Sequence, residues 1–215
     1  MQTGGIQAVA FDVDGTLVEE NFWLRLHELF GVSLDDDTQW MNKYHAGEWN
    51  YRTWMDTVSE AYARNPQKRE AIERVVHRYE FYSGTRGIIQ KLKTKYPVAL
   101  ISSNIATYIE AVAKELDVDE WHAYSDFAYN GEYFSHITYT SDANEKEAKV
   151  ASLTSFAKRV GVKPESIAFV GDSINDLDVF EYTGKGILIR EGTESLKRAA
   201  WKRVDAIEEV ERILL

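Results

Sequence analysis

Four short apolar runs do most to limit what this chain can fold into. They lie at residues 6–11, 97–101, 167–170 and 186–189, and only Gln7 interrupts the first. Each has the length of a buried strand rather than of a helix. Between them the pattern turns helical, at residues 105–116, which Asn104 is placed to cap, and again at 175–182. A further apolar run falls near residues 121–124. Such alternation predicts an α/β chain, a doubly wound parallel sheet of Rossmann-like form with helices on both faces. In that architecture ligand sites lie outside the carboxyl ends of the strands. Residues 126–139 depart from it, because two alternating segments flank Asn130-Gly131, the strongest short signal for a β-hairpin.

Residues 19–82 have a different character, helical and rich in aromatic side chains. Phe22, Leu26, Leu29 and Phe30 form a stripe at helical spacing. Ser33 reads as the cap of a second helix and Asn50 as the cap of a third, through Trp54, Val58, Ala61 and Tyr62. Asn65-Pro66 reads as the cap and first turn of a fourth. A small helical bundle is therefore expected between the first and second strands.

The polar residues where the runs stop carry the chemistry. The first run ends in Asp12-Val13-Asp14-Gly15-Thr16. Two half-buried carboxylates two residues apart must be offset by a cation, a proton or hydrogen bonds. A turn at Gly15 can bring one carboxylate and a neighbouring carbonyl onto one ion, and such hard oxygens suit Mg²⁺. An EF-hand loop is excluded, since its glycine and glutamate positions hold Leu17 and Trp23. The second run ends in Ser102-Ser103-Asn104, and the third leads into Gly171-Asp172-Ser173-Ile174-Asn175-Asp176. Between them stand Lys149 and, one turn earlier, Lys146. Taken singly, each cluster could be an ordinary turn or cap. All three follow apolar strands and can face one crevice.

Composition narrows the partners. A net charge of −10 opposes nucleic-acid binding, which demands a basic surface, but leaves room for a small phosphorylated ligand in a locally positive pocket. No apolar segment is long enough to span a membrane, and the first five residues lack the features of a signal peptide. With no cysteine in the chain, disulfides and thiol catalysis are excluded, and a cytoplasmic location is expected. Oligomeric state leaves no trace in the sequence.

The set of strand-end motifs resembles the haloacid dehalogenase (HAD) superfamily: an Asp-x-Asp-x-Thr strand end, a Ser after a second strand, a lysine, and a Gly-Asp-x-x-x-Asp strand end, spread here from Asp12 to Asp176. The spacing of Ala148-Lys149, the hairpin and the helical insertion are similar to the phosphoserine phosphatase-like subgroup. That resemblance implies a core of residues 1–17 and 85–215, a type-one helical cap of 18–84, and hinges near 17–21 and 84–87. It implies Asp12 as nucleophile, forming an aspartyl-phosphate, and Asp14 as acid and base. Mg²⁺ would be held by Asp12, the Asp14 carbonyl and Asp172. Ser102, Ser103 and Lys149 (Lys146 being the alternative) would bind phosphate, with Asp176, Thr16 and Asn175 around them. A carboxylate at Asp14 is similar to phosphatases and phosphomutases, whereas haloacid dehalogenases lack it and transport ATPases carry threonine. The expected activity is Mg²⁺-dependent hydrolysis of a small phosphorylated metabolite. Phosphotransfer on the same scaffold, or a non-catalytic metal-binding role, are the alternatives.

In its cap the sequence departs from this subgroup. Nine residues beyond the nucleophile, where the subgroup carries a glutamate for the serine amine, stands Asn21, after Glu19 and Glu20. The position of its carboxylate-binding arginine holds Val58, and Arg52 falls on another part of the helix. Aromatic residues take their place. Glu20, Asn21, Trp49 and Tyr51 are the candidate substrate contacts, although most cap aromatics are expected simply to pack.

Overall fold

The computed structural model describes residues 5–19, 21–141 and 144–215. The chain runs β1 (Ala8–Phe11), α1 (Phe22–Phe30), α2 (Leu34–His45), α3 (Tyr51–Ala63), α4 (Arg69–Val76), α5 (Thr85–Lys93), β2 (Val98–Ile101), α6 (Ala106–Glu115) and β3 (Glu120–His122). Then follow β4 (Ser125–Asn130), β5 (Tyr133–Tyr139), α7 (Glu145–Val160), β6 (Ile167–Gly171), α8 (Leu177–Thr183), β7 (Gly186–Ile189), α9 (Glu194–Ala199), β8 (Lys202–Val204) and α10 (Glu211–Leu214). Six strands form one sheet in the order β3-β2-β1-β6-β7-β8, every neighbouring pair parallel. Strand order reverses on either side of β1, so the crevice beyond its carboxyl end is the natural ligand position.

Side-chain alternation along the strands builds the two faces. Val9 and Phe11 of β1, with Val98 and Leu100 of β2, enter one apolar cluster. Ala8 and Ala10, with Ala99 and Ile101, enter the cluster on the other face under α7 and α8. Both faces being covered, the strands read as continuous apolar runs. β8, with its exposed lysine and arginine, lies at the sheet edge and offers no such run, which is why the sequence pattern misses it.

Helices α1 to α4 form the expected bundle. Asn21, Ser33 and Asn50 cap the first three, each side chain accepting a backbone N–H. The fourth departs from expectation. It begins at Arg69, and Asn65 instead donates Nδ2 to the carbonyl of Phe30 at 3.0 Å, tying the α3 end to the α1 end. The segment expected to be helical from Asn175 starts as a tight single turn, 174–176, with α8 following from Leu177.

The two chain crossings into the bundle are paired: Glu19 N donates to Glu80 O, and Tyr82 N to Leu17 O, both at 3.0 Å. The β4–β5 hairpin turns at Asn130-Gly131 as expected. Although the sequence division groups it with the sheet, it is fastened to the bundle. Ile137 N donates to Ser59 Oγ at 2.9 Å, Arg69 N to Glu132 O at 2.7 Å, and Phe134 N to Gln67 O at 2.9 Å. Among the described residues no helix is long and apolar enough to cross a membrane.

Candidate active site

A crevice of about 510 Å³ lies between the carboxyl ends of the strands and the helical bundle. Asp12, Asp14, Ser102, Ser103, Lys149, Asp172 and Asn175 all line it. The clusters singled out in the sequence therefore meet although 163 residues separate Asp12 from Asn175.

At its base the charges are tightly partnered. Lys149 enters from α7, almost wholly buried, with Nζ 3.3 Å from Asp12 Oδ1 and 2.6 Å from Asp176 Oδ1. Burial pulls its pKa down, but Asp12 and Asp176 outweigh that and hold it above the ordinary lysine value, so it stays a cation. Lys146 is half-buried on the same helix, and Lys149 is the lysine that reaches the carboxylates. Asp176 is completely buried, and its Oδ2 accepts from the backbone N–H groups of Asp172 and Ser173, both at 3.1 Å. Its oxygens are thus occupied in shaping the loop. Thr16 Oγ1 donates to Asp172 Oδ1 at 2.7 Å.

Two glycines give this base its closeness. Gly15 has a φ of +73°, and a Cβ there would lie 2.4 Å from Asp172 Oδ2. At Gly171 a Cβ would lie 2.3 Å from Asp176 Oδ2. Either side chain would push apart carboxylates that must converge. One oxygen from each of Asp12, Asp172 and Asp176 falls within 4.8 Å of the others. Burial raises Asp12 to about 8 against the pull of Lys149, and burial with the Asp176 charge raises Asp172 to about 6. Carboxylates held above their ordinary range by burial and by one another are short of positive charge. Hard oxygens from Asp12, Asp172 and Asp176 held this close therefore fit a divalent cation such as Mg²⁺.

Asp14 faces a separate environment. Asn104 Nδ2 donates to its Oδ2 at 2.6 Å and the Tyr108 hydroxyl to its Oδ1 at 2.7 Å, with Phe22 N at 3.4 Å. Burial raises its carboxyl to about 6, restrained by Tyr108, Phe22 N–H, Arg25 and Asn104. Asn104 is consequently not the helix cap that its position suggests. α6 is preceded by Ile105 without a side-chain cap, and the amide is spent on Asp14. Tyr108 sits one turn further along α6 and stacks on Phe22 of α1, ring centroids 4.1 Å apart. Sequence reasoning took Asn104 for a cap and missed Tyr108. The four-residue spacing from Asn104 to Tyr108, just after a strand-end serine pair, was the available signal.

On the bundle side the wall is aromatic. Tyr51 donates its hydroxyl to Ser103 O at 2.9 Å, and Tyr44 donates toward Glu145 Oε1 at 2.8 Å and Asn175 Oδ1 at 3.1 Å. Tyr51 and Asn21 line the crevice as expected, with the cap aromatics Trp23 and Trp54, and with Tyr44, which was not singled out. Trp49 does not line it: half-buried against the apolar cluster, its ring lies under the Lys43 ammonium at 4.6 Å. Glu20 falls outside the described residues. Ser102 is buried and its Oγ accepts from Asn104 N at 3.4 Å. The neighbouring Ser103 Oγ is buried with no partner among the described residues.

Comparison with known proteins fits this geometry. The family model for haloacid dehalogenase-like hydrolases matches residues 6–184. A phosphoserine phosphatase of Archaeoglobus fulgidus is 27% identical over 181 residues, 83% of this chain and 51% of that protein. The chain thus spans about half the length of that relative. A phosphoserine phosphatase of Streptococcus thermophilus is 27% identical over 185 residues, 83% of this chain and 81% of that protein. The fold matches a substrate-bound phosphoserine phosphatase complex with a TM-score of 0.83 at 20% identity, covering 99% of this chain and 100% of that one.

Proposed function

Since the chain belongs to the haloacid dehalogenase-like hydrolase family, we propose that it is a Mg²⁺-dependent phosphatase. It would release phosphate from a small phosphorylated metabolite through an aspartyl-phosphate on Asp12. One observation carries the reading: Asp12, Lys149, Asp172 and Ser102 converge at the base of a single crevice while Asp14 is held apart by its own donors. In this reading residues 18–84 act as the cap over a core of 1–17 and 85–215, and the hairpin, bonded to the bundle, moves with the cap.

Phosphoryl transfer is catalysed mainly by positioning and by charge. The Asp12 carboxylate forms a bond to phosphorus as the ester P–O bond breaks. Lys149 holds one Asp12 oxygen and keeps the carboxylate oriented. Ser102 and the unpartnered Ser103 hydroxyl are placed to hold phosphoryl oxygens. Asp14, lifted to about 6, gives its proton to the leaving alcohol oxygen. As a carboxylate it then takes a proton from the water that attacks phospho-Asp12. Both roles suit a group whose pKa lies near neutrality rather than near 4. Asp12, Asp172 and the Asp14 carbonyl would hold Mg²⁺, which when bound supplies the positive charge that the buried carboxylates and the phosphoryl group require. Asp176 and Thr16 position Asp172 from behind, and Asn175 accepts the Tyr44 hydroxyl from the bundle. A cytoplasmic setting belongs to the same proposal, and the absence of cysteine supports it.

The test is phosphate release from phenyl phosphate with Mg²⁺. Asp12→Asn is expected to lower turnover at least about 10³-fold with an unchanged circular-dichroism spectrum. Retained turnover sinks the nucleophile assignment.

A further inference from the structure

The crevice is electrostatically lopsided. Lys149 is the one cation among its described lining residues, and it is committed to Asp12 and Asp176. With the carboxylates at the base set aside, the wall around the leaving group offers Glu19 at the rim, Asp37, and the rings of Trp23, Tyr44, Tyr51 and Trp54. Asp37 bonds His27 Nε2 at 3.0 Å. Burial pulls the His27 pKa down from 6.5, so at pH 7 the imidazole brings no cation to Asp37. Both tyrosine hydroxyls are already bonded to protein groups, and the Trp54 Nε1 is fully buried. What these side chains offer a ligand is therefore their rings.

Among the described lining residues no cation besides Lys149 faces a carboxylate, and the buried Arg25 lies over the Phe22 and Tyr108 rings rather than on this wall. Val58 is completely buried in the apolar cluster. Arg52 lies over the Tyr139 ring at 3.5 Å, with Asp56 at 3.9 Å. Aromatic faces beside carboxylates recognise ammonium groups, whose charge is drawn both to the ring quadrupole and to the acid.

We infer that the leaving group carries a positive charge, so that the substrate class is the phosphate monoester of an amino alcohol bearing a primary or quaternary ammonium. The inference rests on the phosphatase reading and deepens it. Phosphoethanolamine and phosphocholine represent the two ammonium types, sn-glycerol 3-phosphate the neutral case and 3-phosphoglycerate the anionic one. With Mg²⁺ and the intact protein, kcat/KM for the better ammonium ester is expected to exceed that for glycerol 3-phosphate about tenfold, and that for 3-phosphoglycerate by more. Glu19 is exposed, so its replacement leaves packing intact. Glu19→Lys is expected to cut the ammonium-to-anion ratio at least about tenfold, and Glu19→Gln to cut it about threefold. Equal or better hydrolysis of the neutral or anionic ester, or a ratio indifferent to Glu19→Lys, overturns the inference. If phenyl phosphate is hydrolysed and Asp12→Asn abolishes that, the phosphatase reading survives such a result. If phenyl phosphate is not hydrolysed at all, both fall together.

Discussion

The base of the crevice and its aromatic wall solve different problems by different means. At the base, each charge is buried or half-buried and held by a partner: Lys149 by the carboxylates of Asp12 and Asp176, Asp172 by the Thr16 hydroxyl, Asp14 by the Asn104 amide and the Tyr108 hydroxyl. Losing any member leaves a charge without its partner in a low dielectric, where the penalty is large. The wall is made of rings whose contacts are individually weak and whose hydroxyls bond the opposite side of the crevice. Changes there should be graded, whereas changes at the base should be severe. A site built for one reaction can in this way keep its chemistry fixed while its wall accepts different alcohols.

Lys149→Met should break the base most completely. The side chain is almost fully buried and nearly isosteric, so little packing is lost. Asp12 and Asp176 would then face one another without a cation. Removing one partner of a buried ion pair costs roughly 3–5 kcal/mol, and the backbone N–H bonds that Asp176 keeps put the expected loss at about 3 kcal/mol. Urea unfolding of the metal-stripped protein measures it, and phosphate release should fall at least about 10³-fold. A loss under about 1 kcal/mol would show that the base tolerates unpartnered charge and that the contrast with the wall is false.

The same difference explains what was legible in the sequence. Asp12, Asp14, Ser102, Asp172 and Asp176 could be read because each stands at or just after a strand end, and Lys149, inside α7, because the spacing of Ala148-Lys149 resembles the phosphoserine phosphatase-like subgroup. The sheet was legible from strands buried on both faces. Tyr108 and Tyr44 were not, because a helical aromatic usually packs, and only the fold shows that their hydroxyls reach Asp14 and Asn175. Trp49 failed as a candidate for the converse reason: its side chain packs beneath Lys43 rather than facing the crevice, and sequence gives no sign of that. Asn104 misled because an asparagine after a strand and before a helix is ordinarily a cap.

Tyr108→Phe sits between the two extremes. It keeps the ring stacked on Phe22 and removes only the hydroxyl that Asp14 accepts from. That bond favours ionised Asp14, so its removal raises a pKa that burial has already lifted to about 6. In the proposed mechanism Asp14 acts first as a proton donor, so kcat/KM declines as pH rises through its pKa. The declining limb should therefore move to higher pH, by about half to one unit. Movement to lower pH would place the controlling group elsewhere.

The smallest effect should come from the wall. Tyr51→Phe deletes the hydrogen bond from the bundle to Ser103 O but keeps a ring of nearly the same volume. Its phenol is buried, and burial together with nearby Glu145 holds its pKa well above 10, so in the native protein it is always a neutral donor. One neutral bond of this kind contributes about 1 kcal/mol, and it acts only when the bundle rests on the strand ends. The expected result is a KM raised about two- to fivefold with kcat within about twofold, because the reacting groups at the base are untouched. A fall in kcat of more than about tenfold would mean that Tyr51 positions Ser103, and through it the phosphoryl group. The wall would then share in the chemistry, and the division between the two regions would have to be drawn on the far side of Ser103.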